Sequence, residues 1–185
     1  ACAGGLLVFP NEETRRRVRT IGNGVVFSGP IQPPLLGACI ASAELHLSGE
    51  IHLEQNRLQG LIEFCDEEIE RLGLLNLSHG GSPIFYIGVS SLKVGYNLIA
   101  KMIESGFYVN MGLFPAVPVN NTGIRFTISN HLEKADITRM LEALAYNYPI
   151  ALREEGATHS QVIQAFKYQL TQIGKFQFYQ DCYQQ

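Results

Sequence analysis

The chain has 185 residues, enough for one domain or a small domain with part of another, and a chain of that size can bury about 70% of its unfolded surface. Apolar residues make up 46% and charged residues 17%, which excludes a disordered chain, while a formal net charge of -3 argues against a general nucleic-acid binder. Four cysteines without CxxC spacing suggest neither a zinc site nor a disulfide framework and fit a reducing, cytoplasmic compartment; no apolar run approaches the roughly 20 residues that span a bilayer.

In chain order, "GGLLVF" (Gly4–Phe9) reads as a short strand buried on both faces. Asn11 can cap a following helix whose first turn carries Glu12 and Glu13, matching the helix dipole, and which stops near Gly22. "VVF" leads into "SGPIQPP" (Ser28–Pro34), whose prolines rule out a helix or a central strand there. Leu35 to about His46 is apolar and Ala-rich and predicts a buried helix. From about Glu50 to Leu72 a longer helix is expected, with Leu58, Ile62, Cys65, Ile69 and Leu72 forming one apolar stripe.

After the turn "HGGSP" the pattern alternates. "IFYIGV" predicts a strand, Leu92–Ser105 a helix closed by Gly106, "FYVNM" a second strand and "IRFTIS" (Ile124–Ser129) a third, reached through the loop "FPAVPVNNTG". Another amphipathic helix runs from Ala135 to about Leu152. The fold class is therefore α/β: a β-α-β-β-α arrangement with helices on one face of a small sheet. Past Gly156 one more amphipathic pattern (Val162, Ile163, Phe166, Leu170, Ile173) follows.

Arg125 is the first candidate for chemistry. Strand alternation sets Ile124, Phe126 and Ile128 on one face and Arg125, Thr127 and Ser129 on the other. A guanidinium on a rigid strand offers a planar fork to a carboxylate; the competing account is an arginine on a solvated sheet face. Ser28 followed by Gly29 can present a hydroxyl and a backbone N–H to an anion, or can simply make a turn. "TRRRVR" fans its arginines round more than one side of a helix and reads as solvated. The five histidines lack the i, i+4 pairing of a zinc helix, and no metal site is expected.

Several stretches in fixed order ("GGLLVF…VVFSGPIQPPLLGACIASAEL", "SPIFYIGV", "ESGFYVNMGLFPAVP" and "GIRFTISNHLEKADITRMLEAL") resemble the C-terminal half of pyridoxal-phosphate (PLP) enzymes of aminotransferase fold type I, specifically the α-oxoamine synthases. The resemblance covers about Ala1 to Tyr148. It implies the end of a large PLP-binding domain over 1–45, a small C-terminal domain over 46–155 and a helical extension over 156–185. It implies pyridoxal 5'-phosphate as cofactor, carried on a lysine a few residues before Gly4–Gly5 and so upstream of Ala1, which would leave this stretch inactive alone. Arg125 matches the family arginine that binds the amino-acid carboxylate. Ser28 matches a hydroxyl residue that reaches the cofactor phosphate of the neighbouring subunit, although Gly29 stands where the family often has Thr or Asn. "LFPAVP" carries Phe114 where the family loop has Tyr.

The implied partners are an amino acid, an acyl-CoA thioester and a second subunit or the remaining half of the protein, with no nucleic acid and no membrane. The implied reaction is condensation of the amino acid with the acyl group and loss of carbon dioxide. Two other functions fit the same resemblance: a non-catalytic interaction subunit that lends Ser28 to a partner, and a generic class I/II aminotransferase.

Overall fold

The first helix begins where the sequence supplies a cap: the Asn11 side chain accepts the Thr14 N–H at 2.8 Å, opening α1 (Glu12–Ile21). The computed structural model describes residues 7–22, 24, 29–78 and 80–182. Two compact units, Ala1–Leu53 and Glu54–Gln185, divide the chain.

In the first unit α1 is followed by α2 (Pro33–Ser48), which ends at Gly49 with a left-handed φ of 82°. Pro33 and Pro34 occupy the first turn of α2, where a missing N–H costs nothing, so the helix starts two residues earlier than the composition predicts. The expected burial of α2 is not found: none of its residues is buried, and Leu36, Ile40, Leu45 and Leu47 are exposed. The expected strand Gly4–Phe9 lies partly outside the described residues. Its described part, Leu7–Phe9, is irregular, with Leu7 and Val8 exposed at 70% and 84%. Apolar runs of this kind become buried strands only when neighbouring strands flank them. Val25–Phe27 and Ser28 are outside the described residues.

The second unit begins within α3 (Ile51–Arg71); of its expected stripe Ile62, Cys65 and Ile69 are buried, Leu58 and Leu72 are partly buried against the core, and Leu61 is buried beside them. Three strands follow, β1 (Ile84–Ser90), β2 (Asn110–Gly112) and β3 (Thr122–Thr127), in the order β1-β3-β2 with both pairs antiparallel. The second strand is shorter and later than predicted, because Phe107–Val109 diverge from β3 before pairing starts at Asn110↔Arg125. Between β1 and β2 runs α4 (Leu92–Glu104), capped by Ser91 and closed by Gly106 at φ 87°, as the sequence predicts. After β3 comes α5 (Lys134–Glu154), opened by a Glu133/Asp136 capping box.

Alternation on the strands decides which face α4 and α5 cover. Phe85, Ile87 and Val89 of β1 and Ile124, Phe126 and Ile128 are buried together with Val94, Leu98 and Met102 of α4 and Ile137, Leu141 and Leu144 of α5. Gly95 lets α4 approach closely: a Cβ there would stand 2.5 Å from the Met111 sulfur and 2.9 Å from Thr122 Cγ2. Along α5 lies α3, tied to it by Thr138–Glu68, Arg71–Glu142 and Arg57–Glu133 contacts. Burial pushes the Cys65 thiol up to about 12, so it stays protonated as a core residue.

The tail forms three short helices, α6 (His159–Ala165), α7 (Lys167–Gln172) and α8 (Phe176–Cys182), rather than the single predicted pattern. Val162, Ile163, Phe166, Leu170 and Tyr179 from this tail are part of the same core. The buried Tyr179 hydroxyl accepts the Asn76 N–H and donates to the Leu74 carbonyl, both at 3.1 Å. Asn76 in turn donates to Asp66 at 2.9 Å and accepts the Ser78 N–H at 2.9 Å. Among the described residues no helix is long and apolar enough to cross a membrane.

Tyr179→Phe removes the hydroxyl that bridges the Asn76 N–H and the Leu74 carbonyl and leaves these two groups only their direct 2.8 Å bond to each other. It is expected to lower stability by about 0.5–1.5 kcal/mol in urea denaturation, with native far-ultraviolet circular dichroism unchanged.

Candidate functional site

Burial of Ile124, Phe126 and Ile128 against the helices forces their neighbour Arg125 onto the opposite face of the sheet. There β3 is the central strand, so Arg125 has a cross-strand partner on each side: Tyr86 of β1 and Asn110 of β2. Arg125, Asn110 and Thr127 are exposed, and Tyr86 is half-buried. At one end the same face is closed, since a Cβ on Gly88 would stand 2.6 Å from the Phe166 ring and 3.0 Å from Leu75.

The electrostatics of Arg125 differ from those of its neighbours. Arg57, Arg71 and Arg139 each reach a carboxylate within the unit. The Arg125 side chain has no hydrogen bond or ion pair among the described residues. Its five N–H donors therefore face solvent from a fixed strand position, ready for an anion from outside the chain. A planar carboxylate is the anion that matches the fork in two parallel bonds.

Tyr86 and Asn110, which the sequence reading passed over, complete this row across the sheet. The signal was present in the alternation of "IFYIGV" and "VNMG", but the register that sets both beside Arg125 comes from pairing, which no single strand encodes. The Tyr86 ring leans away from Arg125 and crosses β3 to reach β2. A Cβ on Gly123 would stand 2.4 Å from Tyr86 Cε1, and one on Gly112 would stand 2.6 Å from Cε2. The hydroxyl donates to the Asn121 carbonyl at 2.7 Å, with the Gly112 carbonyl at 3.2 Å. Burial pushes the phenol up to about 12, partly offset by the Gly123 backbone, so it remains a donor at neutral pH.

The second sequence candidate, Ser28, lies outside the described residues, and Gly29 is exposed. The five lysines, Lys93, Lys101, Lys134, Lys167 and Lys175, lie on or beside helices rather than on the strands that carry Arg125. Lys101 is paired with Glu154, while Lys134 and Lys167 sit over the Phe64 and Phe176 rings. The donor set of this face thus fits the carboxylate of a small acid and supplies no amine for an imine. Among the described residues no group of three or more His, Cys, Asp or Glu could hold a metal ion.

A mainly apolar cavity of about 310 Å³ opens toward the helix-covered side of the sheet rather than on the Arg125 row; Phe107, Val109, Phe126, Ile128 and Met140 line it, with Asp136 at its wall.

No family model matches the chain. Its sequence is 33% identical over 141 residues to the 8-amino-7-oxononanoate synthase of Saccharophagus degradans, covering 76% of this chain and 35% of that protein. It is 28% identical over 133 residues to 5-aminolevulinate synthase 1 of Cereibacter sphaeroides, covering 69% and 31%. Among solved structures it is similar to the 8-amino-7-oxononanoate synthase of Francisella tularensis, with a TM-score of 0.61 and 20% identity over 76% of this chain and 40% of that one. It is also similar to the serine palmitoyltransferase of S. paucimobilis solved with bound PLP and myriocin, with a TM-score of 0.65 and 19% identity over 79% and 35%. The chain spans about a third of the length of the curated relatives it matches.

Gly123→Ala would drive a methyl group into both the Tyr86 ring and the Ile87 carbonyl, 2.7 Å from the Cβ position. The expected loss is about 1–3 kcal/mol of stability by thermal or urea unfolding, with the change confined to this sheet face in amide chemical shifts.

Proposed function

Because this chain belongs to the α-oxoamine synthase family of PLP-dependent enzymes, we propose that it forms the substrate-carboxylate side of an active site that condenses an amino acid with an acyl-CoA thioester. One observation carries this reading: Arg125 stands exposed and unpaired among the described residues, on the central strand of a packed sheet. An arginine with no ion-pair partner in its own unit, held where its backbone cannot move, is suited to a ligand's charge rather than to fold stability.

In this role Arg125 binds and orients. A guanidinium only donates hydrogen bonds, so Arg125 holds the carboxylate and takes no part in proton transfer. Two parallel hydrogen bonds to the carboxylate fix the rotation of the amino acid about its Cα, and with it the direction in which each Cα bond points. When bound, PLP supplies an electron sink for negative charge at that carbon. The described residues fit the substrate end of such a site, and the resemblance assigns Ser28 to the cofactor phosphate of a neighbouring subunit. The acyl-CoA thioester is the electrophile, and carbon dioxide the second product.

Exposed apolar side chains along α2 support association, either as a homodimer or with the rest of the family polypeptide. The free thiols of Cys65 and Cys182 support a reducing, cytoplasmic setting.

In the full-length polypeptide Arg125→Ala is expected to raise KM for the amino acid roughly 10- to 100-fold, the value of lost charged hydrogen bonds, and Arg125→Lys to fall between. An unchanged KM in both variants would overturn the carboxylate assignment. The isolated chain is expected to elute from size exclusion with light-scattering detection as a dimer or larger; a clean monomer would count against the proposed association through α2.

A further inference from the structure

The face that carries Arg125 holds one more built feature, the Tyr86 side chain. β2 and β3 are joined by the loop 113–121, and its two ends are the peptide carbonyls of Gly112 and Asn121. Both carbonyls point at one atom, the Tyr86 hydroxyl, at 3.2 and 2.7 Å. Residues 112 and 123, the last and nearly first of the two paired strands, are glycines, and the Tyr86 ring fills the space that their side chains would take. Inside the loop the Ala116 N–H bonds the Leu113 carbonyl and the Asn121 N–H bonds the Pro118 carbonyl, leaving Phe114 and Val119 exposed.

Tyr86 is also the direct cross-strand neighbour of Arg125. An aromatic ring in that position can lie over a guanidinium as a cation–π pair, which would cover the fork. Here the ring leans the other way, over the glycines, and Arg125 stays exposed. The room left by Gly112 and Gly123 admits the ring on that side, and the hydroxyl contacts to the Gly112 and Asn121 carbonyls hold it there.

We propose that Tyr86 is a positioning residue for the Arg125 site: its hydroxyl clasps both ends of loop 113–121, and the same contacts keep the ring off the guanidinium, so that an incoming α-amino carboxylate meets an open fork beside a fixed loop. The proposal rests on the carboxylate reading of Arg125. Tyr86→Phe is the decisive variant because it keeps the ring over the glycines sterically available and removes only the hydroxyl.

The test is hydrogen–deuterium exchange by mass spectrometry on the full-length polypeptide, with and without glycine as the simplest α-amino carboxylate. Tyr86→Phe is expected to speed exchange in loop 113–121 roughly three- to tenfold, the value of one hydrogen bond, while α4 and α5 exchange as before. It is also expected to raise, by a similar factor, the glycine concentration that protects the peptide carrying Arg125. Unchanged loop exchange in Tyr86→Phe overturns the clasp. Faster loop exchange with an unchanged glycine response overturns the positioning role alone. If the unmutated chain gives no glycine response while loop exchange still rises in Tyr86→Phe, the carboxylate reading of Arg125 fails and the positioning role with it, leaving the clasp as a structural contact. Tyr86→Leu, which removes ring and hydroxyl together, is expected to speed exchange across all three strands and so separates loss of the clasp from loss of packing.

Discussion

Period-two alternation along β3 is the constraint from which the site follows. Ile124, Phe126 and Ile128 leave water by packing against α4 and α5, and each contributes on the order of 1.5–3 kcal/mol through that burial. Moving the strand by one residue would expose all three and bury a guanidinium instead, so the register is strongly specified. Arg125 inherits its position from that cost. Its orientation is set by hydrophobic packing on the far face of the sheet, not by any polar contact of its own.

This division of labour explains why the face with Arg125 can be open. Helices α3, α4 and α5, together with the tail α6–α8, supply a core without covering it, except near Gly88, where Phe166 closes one end. Polar groups are spent differently on the two sides. Toward the core Asn76 bonds both Asp66 and Tyr179 in one network; on the sheet's other face Arg125 and Asn110 remain exposed. Arg57, Arg71 and Arg139 are matched with carboxylates within the unit, whereas Arg125 is not.

Much of this was legible in the residues. The Asn11 cap, the Gly106 helix end and the alternation of "IRFTIS" were each readable, because caps and periodicity are local signals. The ordered motifs carried the resemblance to the α-oxoamine synthases, which no composition argument reaches. What escaped was non-local. The burial of α2 was overestimated because apolar content reports what a helix could cover, not whether a partner is there. Tyr86 and Asn110 were missed because their meeting with Arg125 depends on two separate strand pairings. The tail read as one amphipathic stretch because its apolar spacing continues across breaks at Phe166 and Ile173, which are visible only in the backbone. Ser28 falls outside the described residues, so its assignment still rests on resemblance.

The Tyr179 bond carries a consequence for how this unit is made. Its hydroxyl reaches back 103 and 105 positions to Asn76 and Leu74, the stretch that lies against the outer edge of β1. During synthesis Leu75–Leu77 can pair with that edge as soon as β1 has emerged, through local contacts like those of the helices and the β2–β3 hairpin. The hydroxyl that braces this pairing arrives only with α8, so the last helix fastens a border laid down about a hundred residues earlier.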